Sequence, residues 1–98
     1  MVVVLCACGG GEVAVGDPQL ELGRTVYNSR CASCHGSNGQ GGVGSKLGGG
    51  QVVKKYPDVA DQRSVIENGR KAMPTFSSVL SAEEIDAVIR YTRESLGR

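Results

Sequence analysis

Two cysteines and the single histidine of the chain stand within five consecutive residues, Cys31-Ala32-Ser33-Cys34-His35. On one turn of helix, residues at i, i+3 and i+4 project from the same face, so both thiols and the imidazole point the same way. Two thiols can add to the two vinyl groups of a haem while the adjacent imidazole binds the iron. The spacing is typical of covalent c-type haem attachment through Cys31 and Cys34, with His35 as an axial ligand.

Other chemistries for a Cys-x-x-Cys pair fit this chain less well. A zinc site needs about four ligands, but the remaining thiols, Cys6 and Cys8, lie at the far N-terminus and His35 has no second histidine beside it. A thioredoxin-like redox pair is expected next to a βαβ pattern, which the sequence lacks. A structural disulfide is the other alternative, although it leaves the histidine without a role. One covalently bound haem c is therefore the predicted cofactor.

The second axial ligand is expected to be a methionine. Apart from Met1, the chain contains one methionine, Met73, and haem iron accepts a thioether sulfur as an axial ligand. Pro74 biases the residue before it towards an extended conformation, so a stiff loop would hold this weak ligand. The alternative is that Met73 fills a gap in the core, as methionine often does. Because it follows a haem-attachment motif, we predict that Met73 binds the iron opposite His35.

Composition indicates one small domain built around a large apolar group. The 98 residues are enough for one domain and too few for two. With 11 basic and 10 acidic side chains, the charge gives no reason to expect a nucleic-acid partner. Only four side chains are aromatic, so a haem would be the largest flat apolar body in the core. No apolar stripe beyond the predicted core faces requires a dimer, and a monomer is expected.

Residues 1–16 are interpreted as a leader and glycine-rich linker, and residues 17–98 as the haem-binding domain. The opening apolar run is shorter than the roughly 20 residues that a membrane-spanning helix needs. Leu5-Cys6-Ala7-Cys8 resembles a bacterial lipobox, which predicts a lipid anchor on Cys8. Because a basic n-region is missing, the alternative is a leader with two incidental thiols.

Capping signals predict an all-α chain. Asp17-Pro18 suits the start of a first helix that runs towards the haem motif. A short helix is expected from near Asp61 to Gly69, where glycine is a good stop. Ser81-Ala82-Glu83-Glu84 is a capping box that begins the last helix. No strand signal stands out.

Residues 36–50 are more than half glycine, so regular structure is not expected there. Gly39, Gly41 and Gly44 formally match a dinucleotide fingerprint, but the match follows no strand and opens no helix. We interpret this segment as backbone that lies close against the haem and His35, where Cβ atoms would clash.

These motifs together resemble the small class I c-type cytochromes of bacteria, close in size to cytochromes c6 and c551. The resemblance covers residues 17 to about 97. It rests on Cys31-x-x-Cys34-His35, on Asn68-Gly69-Arg70-Lys71-Ala72-Met73-Pro74 with Phe76, and on Leu80-Ser81-x-Glu83-Glu84-Ile85-x-x-Val88-x-x-Tyr91.

The resemblance implies the class I cytochrome c fold, with three to four helices around the haem and crossing N- and C-terminal helices. Gly23-x-x-x-Tyr27 and Val88-x-x-Tyr91 look like the crossing pair, in which glycine lets the two axes approach. Members of this family usually carry a proline whose carbonyl accepts a hydrogen bond from the ligand imidazole. Gly44 or Ser45 takes that position here, so either carbonyl is a candidate acceptor.

The predicted function is one-electron transfer, without enzymatic activity. Histidine and methionine fill both axial positions and raise the reduction potential. We expect a protein outside the cytoplasm, in the periplasm or on the outer face of the cytoplasmic membrane, that exchanges electrons with a respiratory complex, an oxidase or a dehydrogenase. The alternatives are a haem enzyme or gas sensor with an open sixth position, and an electron-donor module of a larger enzyme.

Five cations are candidates for contacts with the haem propionates or with an acidic partner, and the alternative for each is a solvated surface charge. They are Lys46, Lys54, Lys55, Arg70 and Lys71.

Overall fold

The computed structural model describes residues 16–98, so the lipobox and the predicted lipidation of Cys8 lie outside the described residues. Within that range the chain forms five helices, α1 (Pro18–Arg30), α2 (Ala32–His35), α3 (Gln51–Lys55), α4 (Val59–Asn68) and α5 (Ala82–Glu94). The all-α prediction is confirmed, with one short helix more than expected. None of the five is both long and apolar enough to cross a membrane.

The first helix begins where the sequence predicts. The Asp17 carboxylate accepts a hydrogen bond from the backbone N–H of Leu20 at 3.1 Å, and Pro18 occupies the first helical position. Arg90 of α5 also reaches Asp17, with 3.0 Å and 2.9 Å between its two terminal nitrogens and the two carboxylate oxygens. The Leu20 N–H and then the Arg90 guanidinium lower the pKa of Asp17. The start of α1 is therefore tied to the last helix.

Helices α1 and α5 cross at Gly23, as the family resemblance implies. A Cβ atom at Gly23 would overlap the carbonyl oxygen of Ala87 and lie 2.7 Å from Cβ of Tyr91. One turn later, Tyr27 and Tyr91 pack with ring centroids 5.7 Å apart and planes tilted by 48°. Both tyrosines are fully buried. The absence of a side chain at Gly23 thus sets the distance between the two helix axes.

Helix α5 begins with the predicted capping box. The Ser81 backbone N–H donates to the Glu84 carboxylate at 2.8 Å, and the Glu84 N–H donates to the Ser81 hydroxyl at 3.1 Å. Its buried face carries the apolar side chains expected from their spacing. The buried residues of this face include Ile85, Val88, Ile89 and Thr92, and Leu96 follows the helix.

The middle of the chain differs from expectation in two places. Helix α4 starts at Val59, two residues earlier than Asp61, because Asp58 caps it by accepting from the Ala60 N–H at 2.9 Å. It ends at Asn68, and Gly69, with φ +77°, caps it at the predicted stop. Helix α3 was not predicted, since five residues with one buried side chain, Val52, give no helical periodicity.

Substitution of Gly23 by alanine tests the helix crossing. The added Cβ must push α1 and α5 apart, so the free energy of unfolding of the haem-bound protein is expected to fall by about 1–3 kcal/mol. Urea unfolding followed by haem absorbance measures the change. Asn28→Ala, on the exposed side of the same helix, is the control and should change stability by less than about 0.5 kcal/mol. Equal stability of Gly23→Ala and the unmodified protein would show that the helices do not depend on this contact.

Candidate functional site

The attachment motif lies on a helical turn that continues from α1. The Cys31 N–H donates to the Tyr27 carbonyl at 2.8 Å, and the His35 N–H donates to the Cys31 carbonyl at 3.0 Å. No disulfide joins Cys31 and Cys34, and Cys34 is exposed whereas Cys31 is partly buried. Burial, and secondly the charge of Cys34, raises the pKa of the Cys31 thiol to about 11. Because this turn continues from α1, the α1–α5 crossing also fixes the backbone position of both cysteines.

The His35 ring is oriented by the glycine-rich loop. Its Nδ1 lies 2.8 Å from the carbonyl oxygen of Ser45, so of the two candidate acceptors Ser45 is the one in place. With Nδ1–H donating to this oxygen, the Nε2 lone pair is free to bind a metal. A Cβ at Gly44 would lie 2.7 Å from Cε1 of the ring and 2.8 Å from Nδ1, which explains glycine at that position.

Backbone hydrogen bonds hold this loop against the attachment motif. The Gly44 N–H donates to the Cys34 carbonyl at 2.7 Å, and the Gly41 N–H donates to the His35 carbonyl at 2.8 Å. The Tyr27 hydroxyl donates to the Gly36 carbonyl at 2.6 Å, and burial raises the pKa of this phenol far above its usual range. The acceptor for His35 is consequently fixed without the proline that the family usually carries.

Met73 lies in a tight turn after α4. The Arg70 N–H donates to the Met73 carbonyl at 3.1 Å, and the Met73 N–H donates back to the Arg70 carbonyl at 2.9 Å. The turn needs positive φ at Gly69 (+77°) and at Lys71 (+54°), which is the one non-glycine residue with positive φ among the described residues. These restraints give the methionine a defined backbone position.

A cavity of about 440 Å³ brings the four predicted haem residues together. Cys31, Cys34, His35 and Met73 all line this space, which we call the ligand cavity. Apolar side chains from four segments complete its walls, among them Val52, Val65, Ile66, Phe76, Leu80 and Val88. Two free thiols, an imidazole, a thioether and apolar walls are the donor set and surroundings that a covalently attached haem requires, so the residues fit this group.

The five candidate cations fall into two groups. Lys55, Arg70 and Lys71 line the ligand cavity, whereas Lys46 and Lys54 do not. Arg30 also lines it and was not predicted, although its position directly before Cys31 could have indicated it. Among residues 16–98, no carboxylate lines the cavity.

A buried polar pair in the cavity wall was also missed. Gln62 is only 5% exposed and Thr92 only 4%, and the Gln62 amide donates to the Thr92 hydroxyl at 2.8 Å. Both line the ligand cavity. Gln62 shares a helical face with Val65 and Ile66 through i, i+3 and i+4 spacing, and this signal could have located it.

Comparison with known proteins identifies the family. The family model described as "Cytochrome C oxidase, cbb3-type, subunit III" matches residues 18–91. Cytochrome c6 of Bryopsis maxima is 33% identical over 81 residues, which cover 79% of this chain and 92% of the alga's protein. The chain belongs to the class I c-type cytochromes. This cytochrome accordingly binds haem c covalently and is an electron carrier. The predictions of a covalent haem and of electron transfer are confirmed.

Solved structures show the same fold. Cytochrome c6 of the diatom Phaeodactylum tricornutum superposes with a TM-score of 0.63 at 28% identity, over 74% of this cytochrome and 88% of that chain. Dihydro-heme d1 dehydrogenase NirN gives a TM-score of 0.70 at 29% identity, over 79% of this cytochrome but only 16% of that chain. The predicted class I cytochrome c fold is confirmed.

Substitution of Gly44 by alanine tests the packing of the loop on His35. The new Cβ must displace the imidazole or the loop, so we expect the free energy of unfolding to fall by about 1–3 kcal/mol. The His35 Nδ1–H resonance, followed by proton–nitrogen NMR, should shift as its bond to Ser45 lengthens. Gly42→Ala is the matched control, because its Cβ would meet only the Cys34 carbonyl, at 3.1 Å. If both variants left the imidazole resonance in place, the proposed contact would be wrong.

Proposed function

We propose that this cytochrome carries one electron at a time on a haem that Cys31 and Cys34 attach and that His35 and Met73 ligate from opposite faces. The observation that supports this proposal best is that all four side chains line one cavity. The haem supplies the one-electron couple of its iron, and histidine–methionine ligation raises the potential of that couple.

The two proposed ligands are held by separate restraints. The bond between Nδ1 and the Ser45 carbonyl, at 2.8 Å, fixes the tautomer and the ring plane of His35. The paired backbone bonds between Arg70 and Met73 fix the turn that carries Met73. Because neither ligand has to move when the electron arrives, little reorganisation accompanies transfer. This rigidity suits a carrier better than an enzyme or gas sensor, whose sixth position must open.

The optical spectrum tests the ligation. We expect the oxidised cytochrome to be low-spin, with the weak far-red charge-transfer band of sulfur-ligated haem. Met73→Ala should lose this band and bind CO readily. Met73→His is the matched control and should stay low-spin without the band, at a lower potential, because nitrogen replaces sulfur. High-spin iron that binds CO in the unsubstituted protein would contradict ligation by Met73 and would favour the enzyme or sensor.

The proposed site of electron exchange is the mouth of the ligand cavity. Four cations line the cavity, and no carboxylate from the described part of the chain joins them, although the net charge of the whole chain is only +1. The four are Arg30, Lys55, Arg70 and Lys71. A one-signed field of this kind steers a partner of opposite charge. We therefore propose that this cytochrome docks on an acidic face of a redox protein.

Ionic strength tests this docking. Transfer to an acidic redox partner should slow as salt rises, since the Debye length contracts from about 30 Å at 0.01 M to about 8 Å at 0.15 M. Lys71→Gln should lower the rate at low salt, whereas Lys46→Gln, which removes the same charge away from the cavity, should change it less. A rate independent of salt, or equal effects of the two substitutions, would argue against the cationic mouth as the docking site.

The proposed location is outside the cytoplasm, where c-type haem is attached, with an oxidase, dehydrogenase or respiratory complex as partner. The match to an oxidase-subunit family supports a respiratory role. The lipid anchor at Cys8 and the monomeric state stay predictions.

A second candidate function is the electron-donor module of a larger enzyme. It is favoured by the oxidase-subunit family model and by NirN, in which the similar region is 16% of the chain. A free carrier should purify from native membranes or periplasm at its own mass, whereas a module should purify in fixed stoichiometry with its enzyme.

A further inference from the structure

Three polar side chains from two separate segments meet at the ligand cavity. Arg70, just after α4, donates from Nη1 to the Tyr56 hydroxyl at 3.4 Å. Lys55, at the end of α3, places its Nζ 5.7 Å from the centroid of the Tyr56 ring. All three residues line the ligand cavity. Two cations and a phenol thus share one part of its wall.

These two cations have no counter-ion in the part of the chain that the structure describes. None of the ion pairs within residues 16–98 includes Lys55 or Arg70. The acidic side chains nearest in sequence have other roles, because Asp58 caps α4 and Glu67 pairs with Arg63 at 3.4 Å. Cations that line an apolar cavity without a carboxylate suit an anionic ligand group.

Haem brings such a group. Its two propionate carboxylates lie on the half of the ring opposite the vinyl groups, which the cysteines bind. From these contacts we infer that Arg70, supported by Tyr56 and Lys55, binds one haem propionate and thereby fastens the Met73 loop to the cofactor. The guanidinium supplies a planar pair of donors that matches a carboxylate, and the phenol supplies a further donor. The link to ligation rests on the proposed role of Met73.

Arg70 is placed to couple the propionate to the methionine. Its backbone exchanges two hydrogen bonds with Met73, at 3.1 Å and 2.9 Å, while its side chain crosses to Tyr56. The Tyr56 carbonyl in turn accepts a hydrogen bond from the Arg93 guanidinium of α5 at 2.7 Å. The same guanidinium also donates to the Pro57 carbonyl at 3.2 Å. One residue therefore connects the Met73 turn, the proposed propionate and the segment braced by α5.

Arg70→Gln in the haem-bound protein tests the inference with two readouts. Resonance Raman spectroscopy reports the propionate bending band, which responds to hydrogen bonding of the carboxylate and should shift. Urea titration of the far-red sulfur band reports the Met73 loop. The fraction of protein with detached sulfur at a fixed urea concentration should rise about tenfold, as expected for loss of a hydrogen bond to a charged group.

Two variants serve as controls. Lys54→Gln removes the same charge from α3 at a residue that does not line the cavity, and it should change neither readout. Arg70→Lys keeps the charge but loses the planar fork, so it should give intermediate values. If Arg70→Gln yields no folded protein, Tyr56→Phe, which removes the phenol donor, should still shift the propionate band.

The outcomes separate the parts of the inference. A propionate band that is unchanged in both Arg70→Gln and Tyr56→Phe would overturn the propionate site. A shifted band with unaltered loss of sulfur in urea would overturn the coupling to Met73. If the far-red band were absent from the unsubstituted protein, the proposed ligation would fail, whereas the propionate band would still test the site.

Discussion

The close approach of α1 and α5 at Gly23 is the contact on which the rest of this small structure depends. Tyr27 and Tyr91 fill the space beside the crossing. Helix α1 runs through Cys31 into the single turn that ends at His35, so the crossing also decides where the thiols and the imidazole point. Val88, one turn before Tyr91, forms part of the cavity wall. The packing of α1 against α5 therefore positions both the attachment motif and part of the cavity wall.

Two parts of the wall of the ligand cavity are restrained in different ways. On one side a glycine-rich backbone lies flat against His35 and presents the Ser45 carbonyl. In another part of the cavity wall, a turn closed by two backbone bonds presents Met73. A chain of 98 residues with four aromatic side chains has few large apolar groups from which to build a rigid core. A cofactor held by both walls would supply that rigidity and keep reorganisation small during electron transfer.

Local signals in the sequence predicted much of this arrangement. Capping residues such as Asp17 and Ser81 located helix ends, because their side chains bond backbone atoms only three residues away. The spacing of the attachment motif predicted its helical turn and its shared face. The family resemblance supplied the crossing at Gly23, which no local pattern contains.

Features that depend on tertiary contacts were not predictable in the same way. Helix α3 is too short for periodicity, and it is followed by a segment that Arg93 holds from the other end of the chain. Whether Ser45 or Gly44 orients the imidazole depends on how the loop folds back. Likewise, Lys55 lines the cavity and Lys54 does not, which depends on the rotation of one helical turn.

We propose that His35 and Met73 bind the haem iron from opposite faces of the ring. Proton NMR of the reduced protein, with carbon-13 in the methionine methyl groups, tests it most directly. A methyl group bound to the iron lies over the face of the porphyrin, whose ring current shifts its resonance far upfield. Ligation by Met73 predicts one methionine methyl signal far upfield, which disappears in a Met73→Leu variant. Methyl resonances that all stay at ordinary positions in the reduced protein would contradict it.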